Sequence, residues 1–171
     1  MKLLALNIRQ GGGTRIDSIC SYLIAQDCDA LVISEFKRNT SGNQLIKALR
    51  QAGFSHIHHN NTDSKQNSVM LATKQASNLL KIDGCSNEWS LIGISWAGLQ
   101  LVGTYFPQRK DKAGVFNTLE TIASGDLRQL VTLIPVPTYW IRRAPSFIAR
   151  TNLWIWPMWP WPTYGALIMV S

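Results

Sequence analysis

Three polar side chains of this sequence stand where apolar segments end. Asn7 and Glu35 each close a short apolar run, and Tyr105 stands at the end of a third. Ligands collect at strand ends in α/β proteins. A carboxylate and an amide oxygen suit a hard divalent cation, and a phenol can hydrogen-bond an anion beside it. Taken singly, each residue also has an ordinary structural explanation, as a turn former, a surface charge or a half-buried aromatic.

The segments that carry the first two residues alternate between strand and helix patterns. Residues 3–8 form an apolar run that ends before Gly11-Gly12-Gly13, which predicts a strand followed by a tight turn. Thr14 then fits an N-cap, and the apolar spacing over 16–24 predicts a helix with one buried face. Residues 30–34 return as a strand. This order predicts a βαβ unit with its two strands side by side.

The following segments supply further strands and two more helices. A helix is predicted over 41–52, with Ser41 as its cap, and strands over 69–73, 90–96 and 100–106. The last two strands should form a hairpin that turns at Ala97-Gly98. Residues 112–123 predict a third helix and residues 130–134 one more buried strand. The three polar side chains therefore lie at or just beyond the ends of predicted strands.

Four segments together resemble a known family. Residues 4–9 (LALNIR), 31–37 (LVISEFK), 68–72 (SVMLA) and 102–107 (VGTYFP) are similar, in order and spacing, to the first half of the endonuclease/exonuclease/phosphatase superfamily. This superfamily contains deoxyribonuclease I and the exonuclease-III-type repair enzymes. The resemblance covers residues 1–134.

The resemblance implies an α/β fold, an incomplete four-layer α/β sandwich followed by an irregular C-terminal tail. It also implies hydrolysis of phosphodiester or phosphomonoester bonds with Mg²⁺ or Mn²⁺ as the cofactor. On this basis Glu35 and Asn7 are the expected metal ligands, and Tyr105 and Asn7 the expected catalytic residues. The implied partner is nucleic acid, or another phosphoester substrate.

The second half of the family's site has no counterpart in this sequence. The family places a Gly-Asp-Phe-Asn strand end after a strand like residues 130–134, whereas here Pro135-Val136-Pro137-Thr138 follows. The family's late Asp-His pair is also missing, because no histidine follows His59 and no carboxylate follows Asp126. The sequence therefore predicts a truncated enzyme whose hydrolysis is impaired or absent.

Composition changes abruptly at the same point. Residues 1–134 hold all ten acidic residues, whereas 135–171 hold six of seven prolines and five of seven tryptophans. The single codons of Trp and Met allow the stretch from Trp154 to Trp161 to be translated in a shifted frame. That frame gives Asp, Leu or Met, Ala, a polar or aromatic residue, Val, Ala and an aliphatic residue, which is an ordinary composition. We therefore divide the chain into an N-terminal part, 1–134, and a tail, 135–171, interpreted as out of frame and poorly structured.

An alternative interpretation treats the tail as selected. A segment rich in Trp and preceded by arginines could dock on a membrane interface or a protein, which would make the chain a non-catalytic binding protein. The prolines at 157, 160 and 162 disfavour a membrane-spanning helix. Membrane is therefore not the expected partner. Liposome co-sedimentation with and without the tail separates this alternative from the frameshift interpretation.

The remaining features have structural explanations. His56, His58 and His59 lie on a predicted strand with one of them facing the opposite way, so a solvated strand end is favoured over a metal cluster. Three cysteines without metal or redox spacing indicate reduced thiols, and the apolar N-terminal run is too short for a signal peptide, so a cytoplasmic protein is expected. Loss of the second half should leave the hairpin with exposed apolar faces and promote non-specific self-association.

Overall fold

The computed structural model describes residues 1–82, 89–105, 112–124, 130–133, 154–157 and 165–169. Three α-helices lie within these ranges: α1 (Ile16–Ala25), α2 (Thr40–Gln51) and α3 (Lys112–Ser124). Ten strands form two sheets: β1 (Lys2–Asn7), β2 (Ala30–Phe36), β3 (His56–His59), β4 (Ser68–Thr73), β5 (Ser77–Leu80), β6 (Leu91–Trp96), β7 (Leu99–Thr104), β8 (Leu130–Leu133), β9 (Trp154–Pro157) and β10 (Gly165–Met169).

The first sheet brings the ends of three strands together. Its strand order is β3-β4-β2-β1-β10-β9. β1 and β2 are parallel, with Leu3 opposite Ala30, which confirms the pairing predicted from the strand–helix–strand order. β4 runs antiparallel to β2. The carboxyl ends of β1 and β2 and the amino end of β4 therefore meet at one edge of the sheet.

The first sheet is covered on both faces, which explains its continuous apolar runs. Successive side chains of a strand point to opposite faces. Leu4 and Leu6 of β1 pack into a core beneath α1 and α2. Leu3 and Ala5 pack into a second core that the first sheet shares with β6 and β7 of the second. The two helices therefore form one outer layer, and the sheets form the two inner layers.

The second sheet has the order β5-β6-β7-β8, and the helix α3 packs on its far face as the fourth layer. On its far face, Leu91 and Val102 form a core with Val115 and Leu119 of α3. The expectation that the hairpin would expose its apolar faces is therefore wrong for the described residues. The expectation assumed that the cover of the hairpin comes from the missing second half. Instead, β5, β6, β7 and α3, all from the first 134 residues, already form a second sheet and an outer helix. The predicted α/β sandwich is confirmed, and the described residues contribute to each of its four layers.

Two short stretches of the tail are described, and both are strands of the first sheet. β10 pairs antiparallel with β1, with Lys2 opposite Met169, and β9 pairs with β10. The other tail residues and the junction at 134–135 lie outside the described residues. The division of the chain at residue 134 and the frameshift interpretation therefore stay predictions.

Several local predictions need correction. α2 begins at Thr40, and its N-cap is Asn39, whose side chain accepts the Gly42 N–H; the cap is not Ser41. Thr14 lies inside a short 3₁₀ turn, Gly13–Arg15, and does not cap α1. Asn39, Thr40 and Ser41 all carry side-chain oxygens, and backbone geometry, which the residue types do not encode, selects Asn39 as the cap. The strand β5 was not predicted, because two of its four residues are exposed and its apolar pattern is weak.

Gly103 sets the distance between the two sheets. A Cβ built at Gly103 would lie 2.9 Å from Val69 Cγ1 and 3.0 Å from Val32 Cγ1. Because these branched side chains lie in the core between the sheets, we expect Gly103→Ala to lower the free energy of unfolding by about 1–3 kcal/mol through overpacking. Urea denaturation of the variant measures this effect. An unchanged denaturation midpoint would show that the sheets separate freely there.

Within the described residues, no helix is both long and apolar enough to cross a membrane.

Candidate active site

Glu35 leaves the regular alternation of β2. The pairing of β2 with β4 shifts register between Ser34 and Phe36, and Glu35 between them has a φ of +57°. Ile33 and Phe36 both pack in the core beneath the helices, although strict alternation would place them on opposite faces. The bulge therefore inserts Glu35 as an extra residue and directs its half-buried side chain away from both cores. A positive φ at a residue other than glycine is uncommon and occurs at functional sites.

Asn7 and the loop after β1 hold the Glu35 carboxylate. Asn7 Nδ2 donates to Glu35 Oε1 at 2.9 Å, and the Gln10 backbone N–H donates to Oε2 at 2.8 Å. Asn7 Oδ1 accepts the Arg9 N–H at 2.8 Å, which fixes the orientation of the amide. The structure therefore places the two predicted metal ligands in direct contact.

The loop can wrap around Glu35 because of its backbone conformation. Arg9 and Gln10 both have positive φ, and the three glycines that follow do as well. Gly11 donates its N–H to Glu35 O at 2.8 Å, and a Cβ there would lie 3.1 Å from Lys37 Cβ. Glycine at this position tolerates both the conformation and the close approach. The glycine run is thus the predicted tight turn, and it serves to hold Glu35.

Tyr105 approaches the same site from the second sheet. It follows the last residue of β7, and its backbone N–H donates to Ser90 O at 2.8 Å. Asn67 Nδ2 donates to Tyr105 OH at 3.4 Å and to Glu35 Oε2 at 3.5 Å. The two sheets therefore bring all three predicted residues into one hydrogen-bonded group, although Tyr105 joins it only through Asn67.

Asn67 was missed by sequence reasoning. It immediately precedes β4, whose first residue, Ser68, pairs with Phe36 beside Glu35. An antiparallel neighbour of β2 must begin where β2 ends, so an assignment of that pairing would have pointed to Asn67. Its Oδ1 is buried and has no hydrogen-bond partner among the described residues.

The donor set fits half of a site for a hard cation. Mg²⁺ in proteins is commonly held by one or two carboxylates together with waters and substrate phosphates. Glu35 retains unused lone pairs after its hydrogen bonds. The Asn7 amide contacts it through Nδ2, while Asn7 Oδ1 accepts the Arg9 N–H and keeps a second lone pair. Within the described residues, no group of three or more His, Cys, Asp or Glu could hold a metal ion. A cation held here would therefore have Glu35 as its carboxylate ligand and would take its other ligands from waters and substrate phosphates.

Solved structures with this architecture agree in fold. No protein-family model and no curated protein matches the sequence. The 3′ phosphatase NExo from Neisseria, bound to product DNA hairpin, matches 78% of this chain and 56% of its own length, at 18% identity and a TM-score of 0.58. An AP endonuclease from Archaeoglobus fulgidus matches 72% of this chain and 48% of its own, at 19% identity and a TM-score of 0.53.

A protein described as an endonuclease/exonuclease/phosphatase, from Beutenbergia cavernae, matches 77% of this chain and 46% of its own, at 11% identity and a TM-score of 0.52. The chain has the fold of the endonuclease/exonuclease/phosphatase superfamily. It spans about half the length of these structures.

Basic side chains surround the site in this endonuclease/exonuclease/phosphatase fold. Arg9, Arg15 and Arg38 are exposed and Lys37 is half-buried, and all four follow the ends of β1 and β2. We call these four residues the basic rim. Arg15 donates to Ile8 O at 2.9 Å, and Lys37 Nζ donates to Gln10 Oε1 at 3.0 Å. The rim therefore supplies positive charge near the ends of β1 and β2.

The three histidines lie elsewhere in the fold. They occupy β3, an edge strand of the first sheet, and all are half-buried. His58 Nε2 lies 3.0 Å from Ser77 Oγ, and burial lowers the pKa of His58 below its usual value. The His59 ring packs against Phe36. The histidines therefore lie on a strand, as predicted, but the expected solvated strand end is wrong, because all three side chains are half-buried against neighbouring residues.

Proposed function

We propose that the chain carries the metal-binding and phosphate-binding half of a nucleic-acid phosphoesterase. The observation that supports this best is Glu35, which a strained bulge directs toward Asn7 and a loop of the superfamily fold. Glu35 and Asn7 would hold the cation, Mg²⁺ or Mn²⁺. When bound, the cation would neutralise the charge that builds on the phosphoryl oxygens.

Tyr105 is the proposed hydrogen-bond donor to the phosphate. Its hydroxyl oxygen accepts from Asn67 Nδ2, which leaves the hydroxyl proton available to donate to a phosphate oxygen. Asn67 acts as a positioning residue in this arrangement, and Asn7 positions Glu35 in addition to its proposed role as a ligand, because each donates to the carboxylate and holds it in one orientation. The chain thus offers an anion-binding group on one side of Glu35 and a cation ligand on the other.

The proposed substrate is nucleic acid. The basic rim supplies several cations around Glu35, which favours a substrate with several phosphates. A structural neighbour, NExo, is a 3′ phosphatase bound to product DNA hairpin, and another, ANGEL2, is a 2′,3′-cyclic phosphatase. We extend the nucleic-acid partner to this chain as part of the proposal.

Hydrolysis itself is proposed to be impaired. Residues 135–171 contain no carboxylate and no histidine, so they provide no general base to activate water. A frame change at residue 135 explains both this lack and the unusual composition of the tail. We therefore expect the chain to bind a cation and a phosphoester but to hydrolyse the phosphoester slowly.

Nicking of supercoiled plasmid DNA tests the proposal. The purified 171-residue chain should nick the plasmid far more slowly than deoxyribonuclease I with Mg²⁺, and EDTA should remove whatever nicking occurs. A rate equal to that of deoxyribonuclease I would contradict the proposed impairment. Nicking that persists in EDTA would contradict the proposed metal dependence.

A further inference from the structure

A polar cleft opens beside the candidate active site. Its volume is about 410 Å³, which lies in the range of small-molecule sites. Six side chains line it: Asn60, Asn61, Thr62, Asp63, Gln66 and Trp89.

The cleft adjoins the residues proposed to bind phosphate. The rings of Trp89 and Tyr105 are in contact, with their centroids 5.9 Å apart. Gln66 is the neighbour of Asn67 in sequence, and its Nε2 donates to Asn67 O at 3.1 Å. The lining of the cleft therefore directly adjoins Tyr105 and Asn67, so one ligand could occupy the cleft and place its phosphate at Tyr105 and Glu35.

The lining suits the uncharged part of a nucleotide. The Asn60 amide is bonded to Leu91 O and to the Val69 N–H, so the amides of Asn61 and Gln66 are the ones that offer further donors and acceptors. The one ionisable group of the lining is the Asp63 carboxylate, which disfavours a phosphate there. Thr62 Oγ1 is buried without a hydrogen-bond partner among the described residues. The half-buried Trp89 adds an aromatic surface on which a planar ring can stack. These groups together match the edges and faces of a nucleobase.

The cleft is linked to the basic rim. Arg38 of the rim donates a hydrogen bond to Asn61 Oδ1 in the cleft lining. Cations therefore continue from the cleft edge toward Lys37 and Glu35, so a ligand with more than one phosphate could follow this surface. A free sugar phosphate would use only part of it.

We propose that this cleft binds a base of a single-stranded nucleic acid whose neighbouring phosphate lies at Glu35 and Tyr105. The proposal rests on the proposed function and adds the substrate class. A base must be unstacked before it can stack on a protein aromatic, so single strands are favoured over duplexes. Trp89 is the residue that provides the stacking surface.

Anisotropy measurements with two fluorescent oligonucleotides test the proposal. One is a short oligothymidylate, and the other carries the same phosphates with every base replaced by an abasic sugar. In EDTA, the 171-residue chain should bind the first more tightly, and Trp89→Ala should weaken this binding about tenfold or more. Trp89→Phe should retain most of the affinity, since it keeps an aromatic face.

Leu79→Ala is the matched control, because Leu79 is an exposed apolar side chain, 61% accessible, on β5. It should leave both affinities unchanged. Equal binding of the two oligonucleotides by the unmodified chain would overturn the proposal, and so would an unchanged base preference in Trp89→Ala. Circular dichroism of each variant shows whether it is folded. If Trp89→Ala does not fold, the comparison of the two oligonucleotides on the unmodified chain still decides the proposal.

Competition distinguishes a base from a sugar phosphate. Thymidine 5′-monophosphate should displace the oligothymidylate at lower concentration than ribose 5-phosphate does. Equal displacement by the two would overturn the assignment of the cleft to a base. These measurements contain no metal, so they can succeed while Mg²⁺-dependent nicking fails, and the two proposals fail separately.

Discussion

Gly42→Ala should lower the free energy of unfolding by about 3 kcal/mol or more, since the new methyl group meets main chain that cannot rotate away. A Cβ built at Gly42 would lie 1.9 Å from the backbone oxygen of Lys37 and 3.0 Å from Phe36 Cε2. Relief of this clash requires the start of α2 to move away from Lys37, in the segment that follows Glu35. That movement would also break the bond from the Gly42 N–H to Asn39 Oδ1, which caps the helix.

Urea denaturation of the 171-residue chain measures this effect. Asn43→Ala is the matched control, because Asn43 is the next residue of the same helical turn and is exposed. Its midpoint should stay within a small margin of the unmodified chain. A Gly42→Ala midpoint equal to that of Asn43→Ala would show that α2 does not pack against Lys37 as described.

The strands and helices of the first 134 residues were largely predictable because their signals are local. β1, β2 and β4 are buried on both faces, so each appears as an unbroken apolar run. The β6–β7 hairpin turns at Ala97 and Gly98, both with positive φ, as its turn type requires. By contrast, β5 has two exposed residues in four and no clear pattern.

The site was predictable only in part, because its decisive features join distant residues. Asn7 and Glu35 could be identified at strand ends, but the bulge at Glu35 appears only in the pairing with β4. Asn67 bonds groups 32 and 38 residues away in the chain, and no residue type near it signals this. The cover that α3 gives the second sheet likewise depends on contacts between elements.

Glu35→Gln should weaken Mn²⁺ binding by more than about tenfold. Loss of a residue that only supports a metal ligand weakens binding by about tenfold or more, and loss of the charged ligand itself should weaken it further. The substitution keeps the size of the side chain and removes its charge. Hard cations prefer charged oxygen ligands, and among the described residues no cluster of acidic or histidine side chains could replace Glu35. Glutamine keeps an oxygen that can accept from Asn7, so the bulge should persist.

Asp27→Asn is the control for adventitious binding. Asp27 is an exposed carboxylate in the loop before β2, where it pairs with Lys74 at 2.6 Å. Loss of the Asp27 carboxylate should leave the Mn²⁺ affinity of the chain unchanged. Circular dichroism and thermal denaturation of both variants establish that each is folded.

The most direct test of the Asn7–Glu35–Tyr105 site is therefore titration of the purified chain with Mn²⁺, followed by electron paramagnetic resonance of the free ion. We expect one Mn²⁺ site in the unmodified chain and in Asp27→Asn, and its loss in Glu35→Gln. Equal Mn²⁺ binding by Glu35→Gln and the unmodified chain would contradict it.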